Sequence, residues 1–143
     1  MNEAYLEYKV QMEIQKIHWQ VNRIRRSNPR VKHLIIDFPA VVVACGSTLN
    51  NKVFCGQSSF PQFYKYSNLI RKRLEELGPI GTKRRECDNI IGACAEPHAA
   101  DKVVKSVYGC GLCDLRFSKA YRPRTGQKVK YCNNCKDTFF EVL

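Results

Sequence analysis

Apolar residues recur at steps of four and three near the start of the chain: Leu6, Val10, Ile14, Ile17, Val21 and Ile24. That period places them on one stripe of an amphipathic helix over residues 2–26. Tyr8 and Trp19 can widen the stripe. Arg23, Arg25 and Arg26 suit the negative end of the helix dipole, and Pro29 stops the helix. His18 reads as an ordinary surface or core-edge histidine. The period then changes. Residues 34–36 and 40–45 are apolar and largely β-branched, which predicts strands. Residues 46–51 form a turn cluster, and residues 52–57 return as the second arm of a hairpin. Cys45 and Cys55 can meet across that hairpin. They read as small buried hydrophobes, with a disulfide as the alternative.

A second helix is predicted over 61–77. Ser58 or Ser59 can cap it, Pro61 suits its first turn and Gly78 its end. Phe63, Leu69 or Ile70, Leu74 and Leu77 make its buried face, and Lys65, Arg71, Lys72 and Arg73 make the other face cationic. A loop with Pro79, Gly81 and the cations Lys83, Arg84 and Arg85 leads to a third helix, from Ala95 to about Ser106. Its small apolar face is Ala99, Ala100, Val103 and Val104. Residues 115–121 alternate in character and predict a strand, residues 122–126 a basic turn, and residues after Tyr131 a short final helix reaching about Phe139.

The totals sharpen this outline. A chain of 143 residues with 44% hydrophobic residues is expected to form one domain. Met1 to Glu7 lacks the basic and apolar runs of a signal peptide, and no window reaches the about 18 apolar residues of a membrane span. The expectation is a soluble protein without a membrane partner, acting in the cytoplasm. Eight cysteines that include two Cys-x-x-Cys pairs then point to metal rather than disulfides. The formal charge is +11, from 24 Lys and Arg against 13 Asp and Glu. That balance favours a polyanionic partner, with nucleic acid foremost, although a merely basic surface would look the same.

The chemistry concentrates in Cys94-Ala95-Glu96 and, much later, Cys132-Asn133-Asn134-Cys135. Three thiolates can bind Zn2+ and leave a fourth tetrahedral position open for water. A thiolate at a helix start is favoured by the dipole. A carboxylate two residues after the first ligand is placed to move protons to and from that water. The predicted ligands are Cys94, Cys132 and Cys135, and the predicted catalytic group is Glu96.

These motifs, in the order helix, hairpin, helix opening at Cys94, strand and helix opening at Cys132, resemble the cytidine deaminase-like superfamily. The stretch Cys94-Ala95-Glu96-Pro97-His98-Ala99-Ala100, paired with the second Cys-x-x-Cys, is similar to the nucleic acid deaminase domains of bacterial polymorphic toxins. The resemblance implies an α/β fold of three layers, α-β-α, with a small mixed sheet flanked by helices. It implies a single zinc-dependent deaminase domain over 1–143, a hydrolase acting on a C–N bond. Water would replace the amino group at C4 of cytosine or C6 of adenine, with Glu96 passing protons to the ring nitrogen and the departing ammonia. It further implies delivery into a target cell as part of a toxin, and an immunity protein as a partner. Tyr131 stands where the family usually carries proline, and the later strands of larger members are missing. Residues 53–57 lack the Asn-x-Glu-Asn element with which free-cytidine enzymes hold ribose. With the +11 charge, that favours a base within DNA or RNA, cytosine first. Lys83, Arg84 and Arg85 are candidate phosphate contacts, His98 a contact at the pocket rim, and Tyr131, Phe63 and Tyr64 candidate stacking partners for an extruded base.

Two other readings compete. Cys110 and Cys113 precede Cys132 by a gap of 18 residues, giving C-x2-C-x18-C-x2-C, the spacing of a structural zinc site. In that reading Cys110, Cys113, Cys132 and Cys135 hold the metal in a nucleic-acid-binding ribbon without catalysis. If the deaminase set is right, Cys110 and Cys113 are plain thiols or form a second zinc site with Cys87. The third reading is a free nucleoside or nucleotide deaminase, which would show little salt dependence.

Overall fold

The computed structural model describes residues 1–28 and 38–143. The predicted strand at 34–36 and the stop at Pro29 lie outside the described residues. The chain forms helix α1 (Glu3–Ser27), hairpin β1 (Val42–Ser47) and β2 (Val53–Gln57), helix α2 (Asn68–Glu75), a small hairpin β3 (Lys83–Arg84) and β4 (Cys87–Ile90), helix α3 (Ala95–Ser106), strands β5 (Leu115–Phe117), β6 (Ala120–Tyr121) and β7 (Lys128–Val129), and helix α4 (Asn133–Thr138).

β1 is the centre of the main sheet and is buried along its whole length. It pairs antiparallel with β2 on one side and with β5 and β6 on the other, and β7 pairs antiparallel with β6. A strand has a period of two, so β1 feeds two cores. Val42 and Ala44 meet the α1 stripe of Leu6, Val10, Ile14, Ile17 and Val21. Val43 and Cys45 meet Ile70 and Leu74 of α2, Ala95, Ala99 and Val103 of α3, and Phe139 after α4. The result is an α/β domain in which one helix covers one face of the sheet and three cover the other. All ladders among the described residues are antiparallel. The stripe stops short of its predicted width: Ile24, Trp19 and Tyr8 are all exposed.

The hairpin register separates the two cysteines expected to meet. Cys45 pairs with Phe54, and Cys55 pairs with Ala44. An offset of one residue turns them to opposite faces, so both are free thiols in different cores. α3 crosses β2 at Gly56, where a Cβ would stand 2.4 Å from the Ala99 amide nitrogen and 2.5 Å from the Ala95 oxygen. Only a residue without a side chain lets the helix lie this close.

Two predicted elements are shortened by long-range hydrogen bonds. α2 begins at Asn68 rather than near Pro61, because the Ser67 amide donates to Asp101 Oδ1 on α3 at 2.7 Å. Residues 63–65 form a 3₁₀ turn in which Phe63 is exposed rather than buried. The strand expected over 115–121 is broken at Ser118. There the Ser118 hydroxyl accepts from the Ala44 amide at 2.9 Å, and the freed Lys119 amide donates to Glu7 Oε1 of α1 at 2.6 Å. Among the described residues no helix is long and apolar enough to cross a membrane.

Candidate metal centre

Cys94 is the residue immediately before α3, and Cys132 the residue immediately before α4. Both helices therefore aim their N-terminal amides and dipoles at one point, which favours negative sulfur there. Cys135 enters from the first turn of α4. Cys94 Sγ lies 3.3 Å from Cys132 Sγ, Cys132 Sγ lies 3.6 Å from Cys135 Sγ, and all three sulfurs fall within 4.8 Å of one another. Zinc–sulfur bonds of about 2.3 Å at tetrahedral angles place neighbouring sulfurs about 3.8 Å apart. The triangle is close to the size such an ion requires. Cys135 is fully buried, whereas Cys94 and Cys132 are half-buried. The Cys132 thiol is held well below its ordinary range, chiefly by hydrogen bonding from Cys135 and then Cys94. Hydrogen bonding to Cys132, and after it burial, pushes the other two thiols up. A divalent cation favours the thiolate form of all three sulfurs.

Glu96 belongs to the same cluster. It is 4% exposed and its Oε2 lies 3.3 Å from Cys135 Sγ. Burial raises its carboxyl above the usual range, toward the value at which a carboxyl exchanges protons readily near neutral pH.

The Cys-x-x-Cys helix is braced from outside. Arg84 donates from Nε to Asn134 Oδ1 at 2.7 Å and pairs with Asp137. Asn134 donates to the Asn89 oxygen at 2.8 Å, and Asn133 to the Glu86 oxygen at 3.1 Å. The β3–β4 hairpin is thus tied to α4. Arg84, expected to reach for substrate, serves as this strut. Lys83 and Arg85 remain exposed.

The other candidate contacts are held by hydrogen bonds of their own. His98 Nε2 lies 3.1 Å from Ser59 Oγ, and its ring stacks at a tilt on Tyr66, with centroids 5.4 Å apart. Tyr66 in turn donates its hydroxyl to the Gly92 oxygen at 2.6 Å. Tyr131 donates its hydroxyl to the Ser118 oxygen at 2.5 Å and packs on the core. The four-cysteine set is not assembled. Cys110 Sγ lies 3.6 Å from Ser47 Oγ, Cys113 is exposed, and among the described residues Cys94, Cys132 and Cys135 are the one group of three or more such side chains placed to hold a metal. Neither the ribbon nor a second site with Cys87 is formed.

No protein-family model, curated protein or solved structure matches this chain. The geometry therefore carries the functional reading alone. It also brings forward residues that the sequence reading left as a mere basic turn. Arg122, Arg124 and Thr125 line a cleft of about 610 Å³ with Phe38, Ser58 and Ala93, the residue next to Cys94. His18, on α1, lies with Nε2 2.6 Å from the Pro123 oxygen and its ring 5.0 Å from that of Phe38, so it anchors both walls of this cleft.

Proposed function

We propose that this protein is a zinc-dependent hydrolytic deaminase of a nucleobase, with cytosine in DNA or RNA as the first choice of substrate. The observation that carries the reading is the buried Glu96 carboxylate 3.3 Å from Cys135 Sγ, beside a triangle of three cysteines that would leave a tetrahedral site one ligand short. A purely structural zinc site is closed by four ligands and has no use for a buried carboxylate beside it.

Cys94, Cys132 and Cys135 would hold the ion. A bound zinc would supply a Lewis acid that makes water a better nucleophile. Glu96 would take a proton from the attacking water and give it to the ring nitrogen beside the reacting carbon. A second proton moves through Glu96 to the exocyclic amine. The C–O bond forms, the C–N bond breaks, and ammonia leaves with no redox change. The raised pKa of Glu96 suits a group that must accept and release protons in one turnover.

The test is mass spectrometry of a single-stranded oligonucleotide containing all four bases, after incubation with the zinc-loaded protein and with Glu96→Ala. An amino-to-oxo mass change at cytosine, absent in the variant, is expected. Failure with single-stranded and duplex DNA, RNA and free nucleosides alike would overturn the proposal. Activity on free cytidine alone, insensitive to salt, would replace the nucleic acid substrate with a nucleoside.

A further inference from the structure

The β6–β7 hairpin separates two clefts. Arg122 and Arg124 line the one described above. On its other flank Lys119, Lys128, Lys130 and Lys136 line a cleft of about 490 Å³ with Val129 and Tyr131. Each cleft reaches the residue immediately before a cysteine of the metal cluster, Ala93 before Cys94 and Tyr131 before Cys132. Between Leu115 and Lys136 the sequence contains no Asp or Glu. Among the described residues, none of these six cations has an ion-pair partner, whereas Arg71, Arg84 and Lys105 elsewhere each have one and Arg73 has two. Like charges gathered on this hairpin and the adjoining α4 repel one another, and a run of phosphates removes that repulsion while releasing its own counterions. The turn is also fixed in place, since His18 holds the Pro123 oxygen and the Arg122 amide donates to the Gln127 oxygen at 2.8 Å.

We propose that the β6–β7 hairpin is a phosphate-binding ribbon for a single nucleic acid strand, with the backbone crossing it from the arginine cleft to the lysine cleft. That a base of this strand then enters the metal cluster rests on the function proposed above; the binding itself does not. A single strand is required because the half-buried sulfurs lie beyond the reach of a base stacked inside a duplex.

The experiment is fluorescence anisotropy of labelled oligothymidine with the full zinc-loaded chain over a range of salt. Thymine has no exocyclic amine, so binding is read separately from deamination. Six phosphate contacts predict a slope of log affinity against log salt of about −4 for a single strand. The pairs Arg122→Glu with Arg124→Glu, and Lys128→Glu with Lys130→Glu, should each weaken binding by on the order of tenfold or more and make the slope shallower by about 1.4. Lys16→Glu with Lys52→Glu changes the net charge equally on exposed positions off the hairpin and should do neither. Zinc content and thermal melting check that each variant folds, and Gln replaces Glu in any pair that does not. Equal losses in the control and hairpin pairs would reduce the effect to net charge and overturn the ribbon. Salt-insensitive binding, or duplex competing as well as single strand, would also overturn it. Binding to the hairpin with no deamination of any substrate would remove the proposed enzyme and leave the ribbon standing.

Discussion

Glu96 Oε2 lies 3.3 Å from Cys135 Sγ, although 39 residues separate the two in the chain. The contact exists because α3 and α4 converge with their N-termini together. Glu96→Gln keeps the shape and burial of the side chain and removes its ability to carry a proton. The expected outcome is full zinc content, an unchanged melting temperature within a few degrees, and turnover lowered by about 10²–10⁴-fold. Zinc analysis and an oligonucleotide deamination assay on the same preparation check it. Turnover surviving in Glu96→Gln would take the proton shuttle away from this residue.

The sulfur triangle makes a sharper prediction about metal. Cys94→Ala should lose the zinc and melt at a lower temperature, because metal binding and folding are linked. Cys113→Ala should keep one zinc per chain and its stability, since that side chain is exposed and outside the cluster. The four-cysteine ribbon demands the reverse result for the two variants. Metal content by mass spectrometry, with melting curves before and after a chelator, decides between them.

What could be read from the sequence was whatever is fixed by local period or by a helix start. The α1 stripe, the β1–β2 hairpin, and the starts of α3 at Cys94 and α4 at Cys132 need only neighbours in the chain. The two Cys motifs were legible for the same reason, because helix N-termini are written locally in sequence. What could not be read depended on distant partners. Asp101 caps α2 from another helix, and Ser118 breaks a strand by replacing a backbone acceptor with its hydroxyl. The opposite faces of Cys45 and Cys55 follow from a one-residue register that only the closed hairpin defines. Arg84 looked like a substrate contact because it lies in a cationic loop, and its carboxylate partner Asp137 is 53 residues away. The arginine cleft was missed because its other wall, Ser58 and Phe38, comes from the far side of the sheet.

Gly56 sets how closely the metal-bearing helix sits on the sheet. Gly56→Ala places a methyl group 2.4 Å from the Ala99 nitrogen and 2.5 Å from the Ala95 oxygen, both backbone atoms that cannot swing aside. Overpacking of this kind costs about 1–3 kcal/mol, or roughly 2–10 °C in melting temperature for a chain of this size. Because Ala95 adjoins Cys94 and Glu96, the outward shift of α3 should also weaken zinc binding. Calorimetry and competition with a chromogenic chelator would measure both effects. A variant as stable as the parent would mean that α3 is not seated on β2 as closely as described.

His98 predicts how stability depends on pH. Burial is the main cause that lowers its pKa below the ordinary 6.5, partly opposed by hydrogen bonding to Ser59; Lys102 lowers it further and Asp101 raises it. The folded protein thus prefers the neutral ring, while the unfolded chain takes up a proton near pH 6.5. Above that value both states are neutral and the contribution is complete. As the pH falls below about 6.5 the unfolded state binds the proton first, and stability is lost until the folded ring titrates as well. His98→Gln has no such proton to bind. Acid also protonates the zinc-binding sulfurs, but it does so in both proteins, and the difference between their unfolding free energies removes that common part. The expected result is a gap between parent and variant that is constant above pH 7 and shifts in favour of His98→Gln as the pH drops from 6.5 toward 5. Chemical denaturation at a series of pH values reads it directly. A gap independent of pH would mean that His98 is solvated in the folded state rather than enclosed by Ser59 and Tyr66.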